Sequence, residues 1–403
     1  MQEWQPFVSF VVPLRNQKRE NIQSLLGSLT AQDYLNFEIV LVGGKDDSTW
    51  EHIPEEFLEW GGLSLQQIWS DYLAPKSLSG NAHAVRAKYG NRLIIVEVEL
   101  VKVRRRGKIV DWIGRDTNVK RNVGCRLARG DVLSLTDGKN THERDYIQNA
   151  LSEMVEHNVE ALAGEMYALE EEHHGLLENI LILYQEKGWV RRNPTFRQGY
   201  RLDSKSIRGV RTLPITASWW MTRNAYSVMG GFDERMTISY EDFASAIRYV
   251  QNGGAFWVTP NVFVYHRHRR TWAEMSKEWK RSGGGAADTL HFYRDSAFAQ
   301  KRFRDVVSVL GSVLFALFVG LVLIVAQQWE IIGAGSFVVG LMGIGAGLAN
   351  ARSAGRWFGF FFPFLTVLLI LIFSISFMRQ YLLRDGAKRL LQTVWSLVMR
   401  TTS

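Results

Sequence analysis

Short apolar runs alternate with stretches of helical spacing along the front of the chain. Phe7–Val12 is an apolar run that ends at Pro13, and Phe37–Val42 is a second that closes on Gly43-Gly44. Leu93–Val98 and Val132–Leu135 repeat the pattern, while Glu20–Thr30 and Arg121–Arg129 carry the spacing of helices. Strands that are apolar at nearly every position are those buried on both faces. The alternation therefore predicts an α/β fold, a mainly parallel sheet with helices on both sides. In such sheets ligands bind beyond the carboxyl ends of the strands.

The pattern changes completely after residue 305. Val306–Ala326 is an uncharged run long enough to cross a hydrocarbon core of ~30 Å as a helix. Phe358–Phe377 is a second such run, and Ile331–Ala349, rich in glycine, is a weaker third that suits close helix packing in a membrane or a re-entrant segment. Two to three crossings follow. Lys301, Arg302 and Arg304 before the first run place residues 1–305 in the cytoplasm by the positive-inside rule. Arg352 and Arg356 separate the later runs and fit three crossings, but Arg379, Arg384, Lys388 and Arg389 would then lie outside. The rule is broken somewhere unless one run fails to cross. Lys388–Ser403 reads as an interfacial helix.

Composition adds less than this patterning. The 403 residues have a mean hydropathy of −0.10, a soluble-looking average that blends two unlike regions. A net charge of +8 favours anionic partners. The single cysteine, Cys125, excludes an internal disulfide and a cysteine metal cluster. The N-terminal MQEWQPFVSFVVPLRN lacks the pattern of a secretory signal. No P-loop, zinc spacing or hydrolase Ser-His-Asp pattern is evident.

The strand ends carry the chemistry. Pro13-Leu14-Arg15-Asn16 follows the first strand, Gly43-Gly44-Lys45-Asp46-Asp47-Ser48-Thr49 the second, and Asp137-Gly138-Lys139-Asn140 the Val132–Leu135 strand. Each alone reads as a turn; their recurrence after successive strands suggests a ribose, base or cation site. In this order, VVPLRN, LVGGKDDST, KRNVGCRLARGDVLSLTDGKN and GGFDERMTISYEDFASAIR resemble the family 2 glycosyltransferases. The resemblance covers roughly residues 7–270 and implies a GT-A fold and a nucleotide-diphospho-sugar donor. It places Pro13 and Asn16 in the first donor turn, and Asp47, or Asp46 beside it, on the uracil or ribose. Arg121 would lie near the donor, and Asp137 would be the first acid of an Asp-x-Asp metal motif. Asp242 would be the catalytic base, with Glu241 beside it. Inverting transfer needs one carboxylate to take the acceptor proton and positive charge on the leaving diphosphate.

The chain departs from that family at Lys139, which stands where the second acid of the metal motif belongs. Either a divalent cation, Mg²⁺ or Mn²⁺, is held by Asp137 with other ligands, the option favoured here, or Lys139 neutralises the diphosphate directly. His266, after the Val262–Tyr265 strand, is the further metal ligand the resemblance offers. Among the basic residues that follow it, Arg269 would face phosphate; a cluster touching lipid headgroups is an equal alternative. His173-His174 reads as polar surface. Arg104-Arg105-Arg106-Gly107-Lys108 reads as a solvated or membrane-facing loop, and nucleic acid is not expected as a partner. Tyr184–Pro194 and Trp219-Trp220 could line an acceptor site, although core packing accounts for the tryptophans equally well.

Thr271–Gly285 spaces Trp272, Met275 and Trp279 as an amphipathic helix beside the bilayer, with Gly283–Gly285 as a flexible joint. The expected organisation is a catalytic domain at 1–270, an interface helix and linker at 271–305, two to three transmembrane helices at 306–378 and a basic amphipathic tail at 379–403. The expected function is a multi-pass membrane glycosyltransferase acting on a lipid-linked or glycan acceptor in polysaccharide or envelope synthesis. So few spans argue against a processive synthase with its own channel. The alternative is a non-catalytic membrane scaffold on the same fold.

Overall fold

The apolar runs form the centre of one ten-stranded sheet in a computed structural model. It describes residues 4–44, 47–63, 82–100, 103–105, 108–110, 117–169, 175–192, 198–208, 210, 213–354 and 357–401. The chain forms two compact units. A sheet unit comprises Met1–Glu170, Asn193–Thr237 and Glu241–Arg267; a helical unit comprises Glu171–Arg192, Ile238–Tyr240 and His268–Ser403.

In the sheet unit, β1 (Val8–Pro13), β2 (Phe37–Gly44), β4 (Leu93–Leu100) and β7 (Val132–Thr136) lie adjacent and parallel, in the order β7-β1-β2-β4. These are four of the five strands the sequence predicts, each within two residues of its expected ends; the fifth, Val262–Tyr265, lies within a longer strand, Phe256–His266. β3 (Ala82–Tyr89) closes that edge antiparallel to β4. Beyond β7 the sheet turns mixed. β11 (Ser218–Thr222) is antiparallel to both β7 and β9 (Ala161–Ala168), and β9 is parallel to β12 (Phe256–His266). β12 also pairs antiparallel with β10 (Tyr200–Leu202) and β8 (Asn140–His142). A two-stranded hairpin of β5 (Val103–Arg105) and β6 (Lys108–Val110) stands apart and carries part of the basic run.

Trp219 and Trp220 alternate on β11, and both are fully buried. Trp220 packs against Phe10 at 5.7 Å and Tyr146 at 5.1 Å, so both tryptophans are core. The Arg129-Gly130-Asp131 turn braces β1 at the end opposite its Pro13 exit. Glu38 accepts from the Arg129 Nε, the Arg129 amide and the Ser9 hydroxyl, each at 2.6 Å, and Asp131 accepts from the Phe7 amide at 3.1 Å. Helix α3 (Thr117–Leu127) then lies on β1 and β2 so closely that a Cβ at Gly124 would meet Val11 at 2.5 Å.

The helical unit contains α5 (Leu176–Arg192), α8 (Trp272–Phe292), α9 (Ala297–Val325), α10 (Trp329–Ala354) and α11 (Phe362–Thr401). Three stretches, Ala297–Val325, Trp329–Arg352 and Gly359–Gly386, are long and apolar enough to cross a membrane. Much of their apolar surface is exposed, Phe315 at 68% and Val339 at 69%, as lipid-facing helices require. α11 breaks at Gly386 (φ 76°).

A Thr271–Glu274 capping box starts α8. The predicted apolar stripe is real: Met275 is buried, and Trp272 and Trp279 pack with Tyr184 of α5 and Phe362, Leu365 and Leu369 of α11. Gly283–Gly285 do not form a flexible joint. They lie inside α8, buried and helical. Tyr184 also points into this packing, its hydroxyl accepting from Thr366 at 3.2 Å.

Candidate active site

Helix α3 organises the strand ends from one side. It is buried along most of its length although its sequence, TNVKRN, is mostly polar. Each polar side chain has a task. Asn122 Nδ2 donates to the Phe232 carbonyl at 2.9 Å, and Asn122 Oδ1 accepts from the Phe232 amide at 2.7 Å and the Tyr226 hydroxyl at 3.0 Å. Asn118 donates to the Asp233 carbonyl at 2.7 Å. These bonds fix the Gly-Gly-Phe-Asp-Glu turn, in which Gly231 has φ 74° and no space for a Cβ beside Asn122 Oδ1, 2.9 Å away. The Arg-Asn-x-Gly and Gly-Gly-Phe-Asp-Glu segments therefore occur together because one holds the other.

Arg121 is the residue on which the carboxylates converge. Its Nη2 is 3.3 Å from Asp137 Oδ1, and its Nη1 is 3.9 Å from Glu241 Oε1. The guanidinium is 3% exposed and stands 5.4 Å from the Phe232 ring centroid. Asp137 ends β7 with its side chain 38% exposed; Glu241 opens helix α7 (Glu241–Gln251) and is buried. Asp242, next on α7, is half-buried and accepts from the Phe243 amide at 2.9 Å. Two acids in the first turn also suit the positive end of the helix dipole.

On the other flank Asp47 ties the first two strand exits together. Its Oδ1 accepts from the Asn16 amide at 2.8 Å, the Thr49 amide at 3.0 Å and the Thr49 hydroxyl. Asn16 answers by accepting from the Ser48 amide at 3.2 Å. Asn16 itself has φ 45°, the left-handed conformation that asparagine tolerates. Pro13, opposite Val42 in register, closes β1 just before this loop. Lys120 lies beneath, 2% exposed, donating to the Leu14 carbonyl at 2.6 Å and standing 3.9 Å from Asp47 Oδ2. Sequence reasoning missed Lys120; the signal was an uninterrupted polar run inside a helix between apolar strands. Asp46 lies outside the described residues, as do His173 and His174.

Asn140 links Asp137 to His266. Its amide donates to the Asp137 carbonyl at 3.0 Å, and its Oδ1 is 2.8 Å from His266 Nδ1. Because Asn140 Nδ2 donates to Thr136 Oγ1 (2.7 Å) and the Ala217 carbonyl (2.8 Å), Oδ1 is the acceptor and His266 Nδ1 carries the proton. The lone pair is then on Nε2, the form a metal requires. Asp137 and His266 do not belong to a group of three ligating side chains among the described residues. The group that does form, Glu153, Glu156 and His157, has Glu153 already accepting from Trp257 Nε1 at 2.8 Å and Asn261 Nδ2 at 2.6 Å. Lys139 is exposed, beside Asp137 in sequence. Arg269 lies in the helical unit, its guanidinium 2.9 Å from Glu278. Neighbouring His142 is a core group: burial lowers its pKa to about 3, and its Nε2 lies 3.0 Å from Thr136 Oγ1.

Among solved structures, the mannosyltransferase PcManGT from Pyrobaculum calidifontis, in complex with GDP-Man and Mn²⁺, superposes with a TM-score of 0.54 at 16% identity, covering 93% of this chain and 88% of that one. The chain has a GT-A-like glycosyltransferase fold. Residues 1–349 of S. aureus TarS match at a TM-score of 0.42 and 17% identity, over 70% of this chain and 65% of that one. No protein-family model matches the sequence, and no curated protein matches it. This GT-A-like fold is followed by three apolar helices long enough to span a membrane.

Proposed function

We propose that the chain is a membrane-anchored, inverting glycosyltransferase of family 2 type. It would move a sugar from a nucleotide-diphosphate donor to a lipid-linked or glycan acceptor, with the sheet unit in the cytoplasm. The observation that carries this reading is Arg121, a buried guanidinium between Asp137 at a strand end and Glu241 at the start of α7. It joins the segment expected to face the donor diphosphate to the segment expected to face the acceptor. The shared fold with a mannosyltransferase solved with GDP-Man and Mn²⁺ supports the same classes of donor and cation.

In this reading Asp242 takes the proton of the acceptor hydroxyl as that oxygen attacks the anomeric carbon, and Glu241 holds Arg121. The nucleoside diphosphate leaves. Asp47, its Oδ1 occupied by the loop, shapes the donor turn together with Asn16 and Pro13, and Asp46 contacts the base or ribose. Asp137 and His266 Nε2 would hold a divalent cation, Mg²⁺ or Mn²⁺; an oxygen and a nitrogen donor suit such an ion when donor oxygens complete its shell. When bound, that ion supplies positive charge to the departing diphosphate. Lys139 adds a point charge at the same strand end.

The test is a panel of nucleotide sugars offered to the full chain in lipid nanodiscs, with transfer and hydrolysis measured. Asp242→Asn is expected to lower transfer about 10²–10⁴-fold while nucleoside diphosphate binding, followed by calorimetry with Mn²⁺, is retained. Full activity in that variant would overturn the base assignment. An absence of nucleotide binding with either cation would leave a scaffold on a glycosyltransferase fold.

A further inference from the structure

The chain leaves the sheet unit at Thr237 and returns to it at Glu241; Ile238–Tyr240 belong with the helices. Three residues immediately before the candidate catalytic pair are thus held by the helical unit. Tyr240 sits in the apolar cluster of α8, α9 and α11, its ring 6.4 Å from that of Phe373. Its φ of 64° is left-handed, a conformation costly for a residue with a bulky side chain and kept only when the surroundings impose it. Arg281 of α8 donates to the Ile238 carbonyl at 3.3 Å.

Gly283–Gly285 of α8 make this hold possible. Glycines in a helix interior destabilise it relative to alanine. They are buried, so chain flexibility is not their use. At Gly285 a Cβ would stand 2.5 Å from the Ser239 carbonyl oxygen and 2.6 Å from its carbon. At Gly283 it would meet the Phe373 backbone of α11. At Gly284 the neighbour is Ile238 Cγ2, at 3.4 Å. The trio is a notch, with α11 on one side and the 238–240 segment on the other.

We propose that Ile238–Tyr240 is a positioning strap. The glycine notch and Arg281 fix the strap, and the strap fixes the backbone at which Glu241 and Asp242 begin α7. Only Tyr240 and Glu241 separate Ser239 from Asp242 in the chain, so a shift of the strap bears directly on the first turn of α7. A misplacement of ~1 Å at a reacting group costs on the order of 10²-fold in rate. The donor turn, built by Asp47, Asn16 and Lys120, has no residue in the strap, and Glu241 touches the donor side only through Arg121, so turnover should suffer far more than donor binding.

Resting as this does on the glycosyl-transfer reading, the experiment carries a readout independent of activity. In the full chain in nanodiscs, Gly285→Ala is expected to lower kcat about 10²-fold. The donor KM and nucleoside diphosphate affinity should change far less than kcat, and hydrogen exchange of the amides in the first turn of α7 should be faster. Arg281→Met, which adds no atom to the notch, should shift the same quantities in the same direction by less, and it decides the matter if Gly285→Ala fails to fold. Gly320→Ala, whose Cβ would meet open space on α9, is the control and should match the parent. A folded Gly285→Ala with parental kcat and parental exchange overturns the strap, as does a loss that falls equally on donor binding. If the parent chain turns over no nucleotide sugar, the glycosyl-transfer reading fails. The exchange of α7 then decides the strap alone: faster exchange supports it, and parental exchange refutes it.

Discussion

The sheet unit and the helical unit both bury charge, but they do so differently. In the sheet unit one buried cation, Arg121, stands between two carboxylates from distant segments, all three at the strand ends. In the helical unit each buried carboxylate is instead matched by partners from one other segment, and those partners reach solvent. Asp288 of α8 takes Arg384 at 3.0 Å and Gln380 at 2.8 Å, and Asp385 takes Arg294 and His291. The cations there are partly wet: Arg384 is 37% exposed, Arg294 35% and His291 28%, against 3% for Arg121. A wet partner can return to solvent when its mate is removed; a buried one cannot. The helical pairs thus fasten helices, while Arg121 draws together carboxylates from two different segments of the sheet unit.

The most severe way to break that contrast is Arg121→Met. It leaves Glu241 buried without its cation, and a buried pair broken in this way costs about 3–5 kcal/mol. The melting temperature should fall steeply, and transfer should be lost along with it. Arg121→Lys keeps the charge without the planar fork and should recover most of the stability and little of the activity. In the helical unit, Arg384→Met strands Asp288, but Gln380 still donates to it, so a smaller loss of about 2 kcal/mol is expected. Asp288→Asn should cost less again, because the Arg384 left behind reaches water. If Arg384→Met proved as damaging as Arg121→Met, the distinction between a buried cation and a partly exposed one would collapse.

Acid should separate the units as well. His142 has its pKa lowered from 6.5 to about 3 by burial. Above pH 6.5 the imidazole is neutral in both folded and unfolded chains and stability is indifferent to it. Below 6.5 the unfolded chain takes up the proton first, so stability falls with pH until about 3, where the folded form also protonates. At pH 5 the deficit is about 2 kcal/mol. Melting of the sheet unit should therefore shift down between pH 6.5 and 5, and His142→Gln should flatten that dependence.

Those contrasts also mark what a sequence makes visible. β1, β2, β4 and β7 were legible because strands buried on both faces are apolar at nearly every position. β9 and β11 were not: ALAGEMYA and SWWMT have neither clean alternation nor an aliphatic run. β12 carries Pro260 and a register shift at its middle, so only its Val262–Tyr265 half was legible. At the site, the turn residues Asn16 and Gly231 were visible through their local chemistry. The pairing of Arg121 with Glu241 joins segments far apart in sequence and has no local signature. Gly283–Gly285 misled for a related reason. Consecutive glycines read as a joint, and only the backbone lying against them reveals a notch.

The smallest expected effect tests the gentlest departure from the fold's metal pattern. Lys139 is exposed and Asp137 is 38% exposed, so exchanging Lys139 for aspartate should leave the melting temperature nearly unchanged. It removes a positive charge and adds a carboxylate two positions from Asp137. If Asp137 and His266 hold a cation, Lys139→Asp should tighten Mn²⁺ binding in calorimetry, and His266→Gln should weaken it. Transfer at saturating Mn²⁺ should survive Lys139→Asp, because the ion already supplies the charge. If instead Mn²⁺ affinity is unmoved by Lys139→Asp and transfer collapses, Lys139 is itself the counter-charge to the diphosphate. The strand end would then work by a fixed ammonium where the sequence pattern calls for a second carboxylate.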